Sequence, residues 1–295
     1  MPAVPTLQLV SERKISELLS CDDPQARWEA SGLLVKDDSC FVVFDDRTEV
    51  ARISADLLPN PSNGLFGAAR KVRGYEGITF NPFKQRFYLL VEARRSAKDC
   101  YCAVLVEYDA GFSHIKSRPL DFPFQSDNKG FEAVAYVRRG EDDFVLALCE
   151  GNRCRCGKKG REPGGGRIQI FEKKRQLWSH AGTIKLPTTV PFIDYSGMSI
   201  DNGRVAVVSQ MNSMMWVGQF DEASWTWHDD GQLYNFPRNA DDSIHYGNIE
   251  GVAWLGPDRI VAASDRRKKS TQPDKSLSEK DQSIHIFDIP AGVTT

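Results

Sequence analysis

Five short segments along the chain share one pattern, and this repeat constrains the fold more than any other feature. Each segment opens with an apolar residue, continues with an acid or a serine, and then has small residues. The segments are Trp28–Gly32, Tyr75–Ile78, Phe131–Val134, Tyr195–Met198 and Ile249–Val252. Regular self-similarity at this spacing is typical of repeat architectures, in which each unit is one supersecondary element.

A short apolar run follows each segment by about fifteen residues. The runs are Phe41–Phe44, Phe87–Val91, Phe144–Leu148, Val205–Val208 and Ile260–Ala263. They are rich in β-branched and aromatic residues and too short for helices, so they predict strands buried on both faces. Third strands with alternating character are predicted at Ala103–Tyr108, Arg167–Phe171, Met215–Phe220 and Ser283–Phe287, and more polar fourth strands at His114–Leu120, Trp178–Leu186 and Trp225–Phe236.

Four-stranded units repeated in this way predict an all-β fold, a five-bladed β-propeller of antiparallel blades formed by residues 1–295 as a single domain. The last unit supplies only three strands before the chain ends. The N-terminal segment from Thr6 to Leu18 precedes the first unit, and we expect it to close the ring beside the last blade. An alternative for Lys14–Leu19 is a short surface helix, which leaves the closure unchanged.

The composition fits a folded chain of 295 residues, with 41% hydrophobic and 26% charged residues. No signal peptide or membrane-spanning stretch is visible, and an odd number of cysteines, seven, is more typical of a reducing compartment than of a disulfide framework. A soluble cytoplasmic protein is therefore expected. The net charge of −2 argues against nucleic-acid and membrane partners.

In a propeller, the start of each first strand and the end of each second strand lie on one face, beside the axis. The starts contribute Glu29, Glu76, Glu132, Ser196 and Glu250. The ends contribute acidic and polar residues that are followed in most units by an arginine: Asp45, Arg47, Glu92, Arg94, Glu150, Arg153, Gln210, Asn212, Asp265 and Arg266. The repeat thus predicts one charged funnel built from residues far apart in sequence.

Carboxylates crowded around a narrow channel repel one another unless cations intervene. Arginines could pair with them and make the ring a structural set of inter-blade salt bridges. A divalent cation is the other solution, and oxygen ligands in loose geometry suit calcium. The five histidines have no metal-ligand spacing, which disfavours zinc or iron held by histidine. The pairs Cys100/Cys102 and Cys154/Cys156 leave a structural zinc or a disulfide between neighbouring blades open.

Basic residues concentrate in two equivalent loops, Arg153–Arg167 and Arg266–Lys280. They are either solvated loops or a basic rim that attracts an anionic small molecule or an acidic protein surface.

The phrases Ile249–Trp254, Arg259–Asp265, Tyr75–Ile78 and Tyr88–Glu92 resemble propellers of the "esterase-like activity of phytase" and SdiA-regulated groups, and more distantly those of gluconolactonase and regucalcin. The resemblance implies a calcium or other divalent ion on the axis and, in some members, hydrolysis of phosphate or ester bonds. Carried over by position, the metal ligands would be Glu29, Glu76, Glu132 and Glu250. Gluconolactonase-type propellers have six blades where this sequence indicates five, and Ser196 replaces one expected acid.

The resulting hypothesis is a ligand-binding propeller, hydrolytic if it is an enzyme, with a divalent cation at its axis and an anionic ester as ligand. Glu132, Glu250, Arg153 and Arg266 are then the expected catalytic groups, and Asp45, Arg47, Glu92, Arg94, Glu150, Ser196, Gln210, Asn212 and Asp265 the expected ligand-binding groups. The alternative is a non-catalytic interaction scaffold in which the Glu/Arg ring is structural. No nucleophile elbow, P-loop or dinucleotide fingerprint is present.

Overall fold

The apolar runs fold as antiparallel strands joined by short turns. The structure, a computed structural model, describes residues 3–23, 26–67, 74–95, 101–124, 130–266 and 279–290. In chain order the strands begin with β1 (Gln8–Lys14), β2 (Ala30–Lys36), β3 (Ser39–Phe44), β4 (Val50–Ser54), β5 (Gly64–Phe66), β6 (Tyr75–Asn81), β7 (Arg86–Arg95), β8 (Tyr101–Asp109), β9 (His114–Asp121) and β10 (Phe131–Arg139).

The second half continues with β11 (Asp142–Cys149), β12 (Arg167–Lys173), β13 (Trp178–Lys185), β14 (Gly197–Asp201), β15 (Arg204–Ser209), β16 (Met214–Asp221), β17 (Thr226–Trp227), β18 (Gln232–Asn235), β19 (Ile249–Gly256), β20 (Arg259–Ser264) and β21 (Ser283–Asp288). Helical structure among the described residues consists of α1 (Ile15–Leu18), α2 (Gly157–Gly160) and a 3₁₀ turn at Asn152–Cys154. The prediction of an all-β chain is confirmed.

The second strands form the core. Every residue of β3 is buried, and its side chains alternate between two clusters, with Val42 and Phe44 on one side and Phe41 and Val43 on the other. Strands buried on both faces lie between layers rather than at a surface. The third strand β21 is more buried than its alternation predicted, because both of its faces are covered. Ile284 and Ile286 pack in the same cluster as Ile15 of α1, and Phe287 packs on the other face with Tyr246.

The N-terminal strand closes the last sheet. β1 pairs antiparallel with β21, with Glu12 opposite His285 and Lys14 opposite Ser283. The sheet order is β1-β21-β20-β19, so the predicted pairing of the N-terminal segment with the last strands is confirmed. The alternative helix is also present in part, because α1 follows β1 directly and buries Ile15 and Leu18.

The first strands meet around a common centre. β2 contacts β6, β6 contacts β10, β10 contacts β14, β14 contacts β19, and β19 contacts β2 again. Their approach explains the small residues of the repeat. A Cβ on Gly32 would lie 2.7 Å from the Cα of Gly77, and one on Gly197 would lie 2.5 Å from the carbonyl oxygen of Glu250. Larger side chains would therefore push neighbouring first strands apart.

Two features of the sheets differ from independent four-stranded units. β13 pairs in parallel with β9 through Trp178 opposite Leu120 and Ser179 opposite Asp121, which joins β6–β9 and β10–β13 into one eight-stranded sheet. The predicted strand at 225–236 is split into β17 and β18, which both pair with β16. Within the described ranges, we find no helix with the length and apolar character to cross a bilayer.

Candidate functional site

Three glutamates line a narrow channel at the centre of the first strands. Glu76, Glu132 and Glu250 each stand at the second position of a repeat segment, on β6, β10 and β19, and the channel has about 10 Å³ of space for the centre of a water molecule. That is room for about one water or one small ion. A β-bulge in each of these strands falls at this residue, between the residues on either side of it. The bulge turns one side chain out of the regular alternation and aims it at the channel.

Serine takes the same position in the other two first strands. Ser31 lines the channel, and its hydroxyl donates to the carbonyl oxygen of Tyr75 in the next first strand. Ser196 donates to the carbonyl oxygen of Ile249 at 2.7 Å, so its relation to its neighbour is the same. The equivalent positions of the five first strands therefore carry three glutamates and two serines.

Glu29 is not part of this ring, in contrast to its prediction as an axial metal ligand. The bulge of β2 lies between Ala30 and Gly32, which makes Ser31 the counterpart of Glu76. Glu29 lies two residues earlier, with its carboxylate 4.0 Å from Arg27. Aligning the segments on their glycine, as Ser31-Gly32 with Glu76-Gly77 and Ser196-Gly197, would have identified Ser31.

The axial carboxyl groups are harder to ionise than ordinary glutamates. Burial, and then the negative charges of Asp45, Glu92, Glu150 and Asp265, raise the pKa of Glu76 to about 8. Burial also raises the pKa of Glu132 well above its usual range, with further contributions from neighbouring glutamates that include Glu76 and Glu250. Both side chains border the channel. At neutral pH the ring therefore holds protons that a bound cation would displace.

The acids after the second strands stand at the mouth of the channel. Their backbones are fixed by hydrogen bonds to the residues that precede the first strand of the same unit. The amides of Asp45, Glu92, Glu150 and Asp265 donate to the carbonyls of Glu29, Gly74, Gly130 and Asn248. Because all four raise the pKa of Glu76, they share one region with the axial glutamates. The structure thus brings these acids and the axial glutamates together.

The four predicted arginines have different surroundings. Arg47 turns away from the channel: its guanidinium lies over the Trp28 ring, 4.0 Å from the centroid, and its Nε donates to the carbonyl oxygen of Arg27 at 2.8 Å. Arg153 pairs with Glu162 at 2.9 Å. Arg94 is exposed at the end of β7, and Arg266 lines a surface pocket with Lys14 and Trp28. The structure therefore does not place Arg47 and Arg153 against the axial carboxylates.

A larger pocket of about 370 Å³ opens at the mouth beside Glu150. Its other charged lining residues are Arg155 and Arg161, which belong to the predicted basic loop Arg153–Arg167, and Asp194, which the sequence pattern did not single out. Gln210 lines the pocket, as its prediction as a ligand-binding residue requires. Asn212 instead accepts hydrogen bonds from the amide of Ile193 at 3.1 Å and from the Ser209 hydroxyl at 2.9 Å, which makes it a loop anchor.

Asp194 explains how the fourth unit keeps a carboxylate where its axial position has Ser196. It stands two residues before that serine, as Glu29 stands two residues before Ser31. The Ser209 hydroxyl and the amide of Met211 donate to its carboxylate, and burial raises its pKa. The signal in the sequence is this exchange: where the axial residue is serine, the acid lies two positions earlier.

The cysteines differ from their predicted pairing. Cys154 forms a disulfide with Cys149, at the end of β11, so it is not available to bind zinc or to bond with the Cys-x-Cys pair of the preceding unit. Cys156 is an exposed free thiol, and Cys100 lies outside the described residues. A disulfide favours an oxidising compartment, and the cytoplasmic location stays a prediction.

No group of three or more histidine, cysteine or acidic side chains is arranged as a metal site within the described residues. The oxygen donors around the channel nevertheless have the chemistry that a hard divalent cation requires. Burial and the crowding of negative charge around the channel raise the pKa values of Glu76 and Glu132. The second predicted basic loop, Arg266–Lys280, lies mostly outside the described residues, since 267–278 are not among them.

No protein-family model matches the chain, and no curated protein matches it. Solved structures do. Glutaminyl cyclase from Myxococcus xanthus superposes with a TM-score of 0.55 at 11% identity, covering 99% of this chain and 100% of that one. The PQQ-bound form of aldose sugar dehydrogenase from Streptomyces coelicolor gives 0.52 at 12% identity, covering 97% and 99%. A glucose dehydrogenase gives 0.50 at 10% identity, covering 98% and 100%. These neighbours are propeller-like, and at such low identity they establish the fold alone: this chain has a propeller-type all-β fold.

Proposed function

We propose that the chain is a five-bladed propeller whose axis binds one divalent cation, most simply Ca²⁺, and whose mouth binds a small anionic molecule such as a phosphate or carboxylate ester. The observation that carries the proposal is the convergence of Glu76, Glu132 and Glu250, from three separate first strands, on a channel with room for one ion. Proteins seldom bury several carboxyl groups together unless their charge is used.

The closed cycle of first strands supports the proposal of five blades. β2, β6, β10, β14 and β19 each begin one antiparallel meander, and β1 supplies the outer strand of the last. The eight-stranded sheet is then two blades joined at their outer strands, because only two residue pairs connect β13 with β9. In this arrangement every axial residue faces every other across the same channel.

The donor set suits a hard cation. Glu76, Glu132 and Glu250 would be the ligands from the chain, and Ser31 could add a hydroxyl oxygen from the same ring. When bound, such a cation lowers the pKa of a coordinated water and polarises an ester or phosphoryl oxygen. The carboxylates at the mouth, among them Asp45 and Glu92, keep bulk anions from the axis unless a cation is present. Esterase-like phytase and SdiA-regulated propellers, which the repeat phrases resemble, are the groups in which we place the chain.

Calorimetric titration with CaCl₂ tests the proposal. The axial glutamates must lose their protons to bind the ion, so we expect one site at pH 8.5, proton release, and affinity that falls about tenfold for each pH unit below about 8. Repeating the titration in buffers of different ionisation enthalpy measures the proton release directly.

Glu132→Gln and Glu250→Gln should each remove the binding. Glu141→Gln is the matched control, because the Glu141 side chain is 95% exposed in the β10–β11 turn. If the wild-type protein binds no Ca²⁺, Mg²⁺ or Mn²⁺ at pH 8.5, the ring is a structural, proton-holding feature and the scaffold alternative replaces the proposal. If the ion binds, loss of 4-nitrophenyl phosphate or 4-nitrophenyl acetate hydrolysis in Glu132→Gln would extend the role to catalysis.

A further inference from the structure

The loop after β11, residues 150–166, is rigidly built although it carries much positive charge. Asn152 is completely buried at its centre. Its amide donates to the carbonyls of Gly160 and Phe192, both at 3.0 Å, and its side-chain oxygen accepts from the amide of Gly165 at 2.8 Å and the hydroxyl of Tyr195 at 2.9 Å. All donors and acceptors of the Asn152 side chain are thus satisfied, which fixes one loop conformation.

Two further features hold the same loop. The disulfide between Cys149 and Cys154 ties it to the end of β11. Gly151 and Gly160 enclose the carbonyl oxygen of Arg155 so closely that a Cβ on either would lie 2.1 or 2.0 Å from it. A solvated loop with no function needs none of these constraints, whereas a binding loop gains affinity from being preorganised.

Two guanidinium groups on this loop line the pocket at the mouth. Arg155 and Arg161 are exposed, and within the described residues neither side chain makes a hydrogen bond or an ion pair. Other arginines of the loop are engaged: Arg153 pairs with Glu162, and Arg167 donates to the carbonyl oxygen of Gly166 at 2.7 Å. The planar fork of arginine matches the oxygens of a phosphate or carboxylate.

The pocket also has acidic lining residues, Glu150 and Asp194, together with Gln210. Asp194 is anchored by the Ser209 hydroxyl and the amide of Met211. Burial raises its pKa, and the charge of Arg161 acts in the opposite direction. The same pocket therefore offers guanidinium groups to an anion and carboxylates to a cation.

We propose that this pocket binds a small zwitterion, with an oxyanion held by Arg155 and Arg161 and an ammonium group held against Glu150 and Asp194. The inference deepens the proposed function by naming the class of ligand, and it rests on the ligand-binding role of the mouth but not on the metal. Binding of the two ends by side chains of opposite charge also explains how an anion is accepted beside an acidic axis.

Two probes that differ only in the ammonium group test the assignment: ethyl phosphate and phosphoethanolamine, titrated calorimetrically at low ionic strength with EDTA. We expect phosphoethanolamine to bind about fivefold or more tightly than ethyl phosphate. Arg155→Gln and Arg161→Gln should each weaken both probes about tenfold. Glu150→Gln should remove the advantage of phosphoethanolamine and leave ethyl phosphate binding unchanged or stronger.

Lys159→Gln is the matched control, since Lys159 is an exposed cation on the same loop that does not line the pocket. It should change the affinity less than twofold, and an equal loss in Lys159→Gln and Arg155→Gln would overturn the proposal as non-specific attraction. Absence of saturable binding below about 20 mM would also overturn it. Ca²⁺-dependent phosphate binding that survives loss of both arginines refutes this pocket but not the axial site. Arginine-dependent binding without any Ca²⁺ site refutes the axial site but not this pocket.

Discussion

Two partly buried glutamates in this protein have pKa values that are shifted in opposite directions. Glu12, on the N-terminal strand that closes the last sheet, has its pKa lowered to about 2, whereas the pKa of axial Glu76 is raised to about 8. Burial raises the pKa of both. The difference comes from their partners: His285 and Lys280 stabilise the charged form of Glu12, while Glu76 faces other carboxylates. The charge network of Glu12 therefore stabilises the closure of the last sheet, whereas the axial carboxyl groups hold protons at neutral pH.

The Glu12 network connects three strands of the last sheet. His285 on β21 is completely buried and donates from Nδ1 to Glu12 at 3.2 Å, while its Nε2 is 2.8 Å from the Ser264 hydroxyl on β20. The Tyr246 hydroxyl donates to the same carboxylate at 3.2 Å, and Lys280 pairs with it. The distances resemble those of a Ser-His-acid triad, but the burial of Ser264 and His285 leaves no access for a substrate. The network is a structural connection.

The largest effect on the comparison should come from Glu12→Ala. The substitution leaves buried His285 and the Tyr246 hydroxyl without their acceptor, so we expect the free energy of unfolding in urea at pH 7 to fall by about 3 kcal/mol. Because the Glu12 side chain is one-third exposed, this loss lies at the low end of the range expected for breaking a buried ion pair. Because the folded pKa is lowered, the contribution of Glu12 is complete above pH 4.5 and disappears as the pH falls towards 2.

Glu17→Ala is the control for this measurement, since Glu17 is an exposed acid in α1, close to the same closure. It should change the free energy of unfolding by less than about 0.5 kcal/mol. An equally small effect of Glu12→Ala at pH 7 would mean that strand pairing and the packing of Ile15, not the charge network, hold the closure.

The axial half of the comparison is tested by Glu76→Gln. With a folded pKa of about 8 against 4.5 unfolded, Glu76 favours the folded state below pH 4.5, and this contribution is lost as the pH rises through 8. Glutamine keeps the shape without the charge. The difference between pKa values of 8 and 4.5 sets an upper limit of about 5 kcal/mol on this loss, and entry of water and relaxation around the ionised ring reduce it. We therefore expect Glu76→Gln to be about 1.5 kcal/mol more stable than wild type at pH 9 and nearly equal to it at pH 5, without added cations.

Thermal or urea unfolding at the two pH values measures this difference, with Glu141→Gln as the exposed control. The result that contradicts the raised pKa is equal stability of Glu76→Gln and wild type at pH 9. Saturating Ca²⁺ sharpens the test, because an ion bound only by the wild-type ring should reverse the order of the two proteins at pH 9.

The fold was largely predictable because the repeat reports burial directly. Runs such as Val205–Val208 are apolar on both faces only where a strand lies between layers, and β15 has that environment. The closure by β1 was predictable because the last unit lacked a strand. The pairing of β9 with β13 was not, because it depends on how two neighbouring units meet at their outer edges, which no local pattern encodes.

The positions of the axial acids could be predicted from the sequence, whereas the directions of the arginine side chains could not. Glu76, Glu132 and Glu250 follow from position in the repeat, since a backbone bulge fixes their direction. The direction of a long arginine side chain depends on its neighbours instead, so Arg47 stacks on Trp28 rather than pairing across the ring. Ser31 was missed because Glu29, two residues earlier, fits the same residue pattern. The register was decided by the close approach of Gly32 to Gly77.

The smallest expected effect concerns the first strands that have serine instead of glutamate. Ser196 donates to the carbonyl oxygen of Ile249 in the neighbouring first strand at 2.7 Å, and both the residue and this bond are buried. Ser196→Ala should therefore lower the free energy of unfolding by about 1 kcal/mol at every pH between 5 and 9. Unlike the effects of Glu12→Ala and Glu76→Gln, this loss does not depend on the protonation of a titrating group. A pH-dependent loss in urea unfolding would show that Ser196 acts through the carboxylates of the axis, and the division of the ring into charged and hydrogen-bonding positions would then fail.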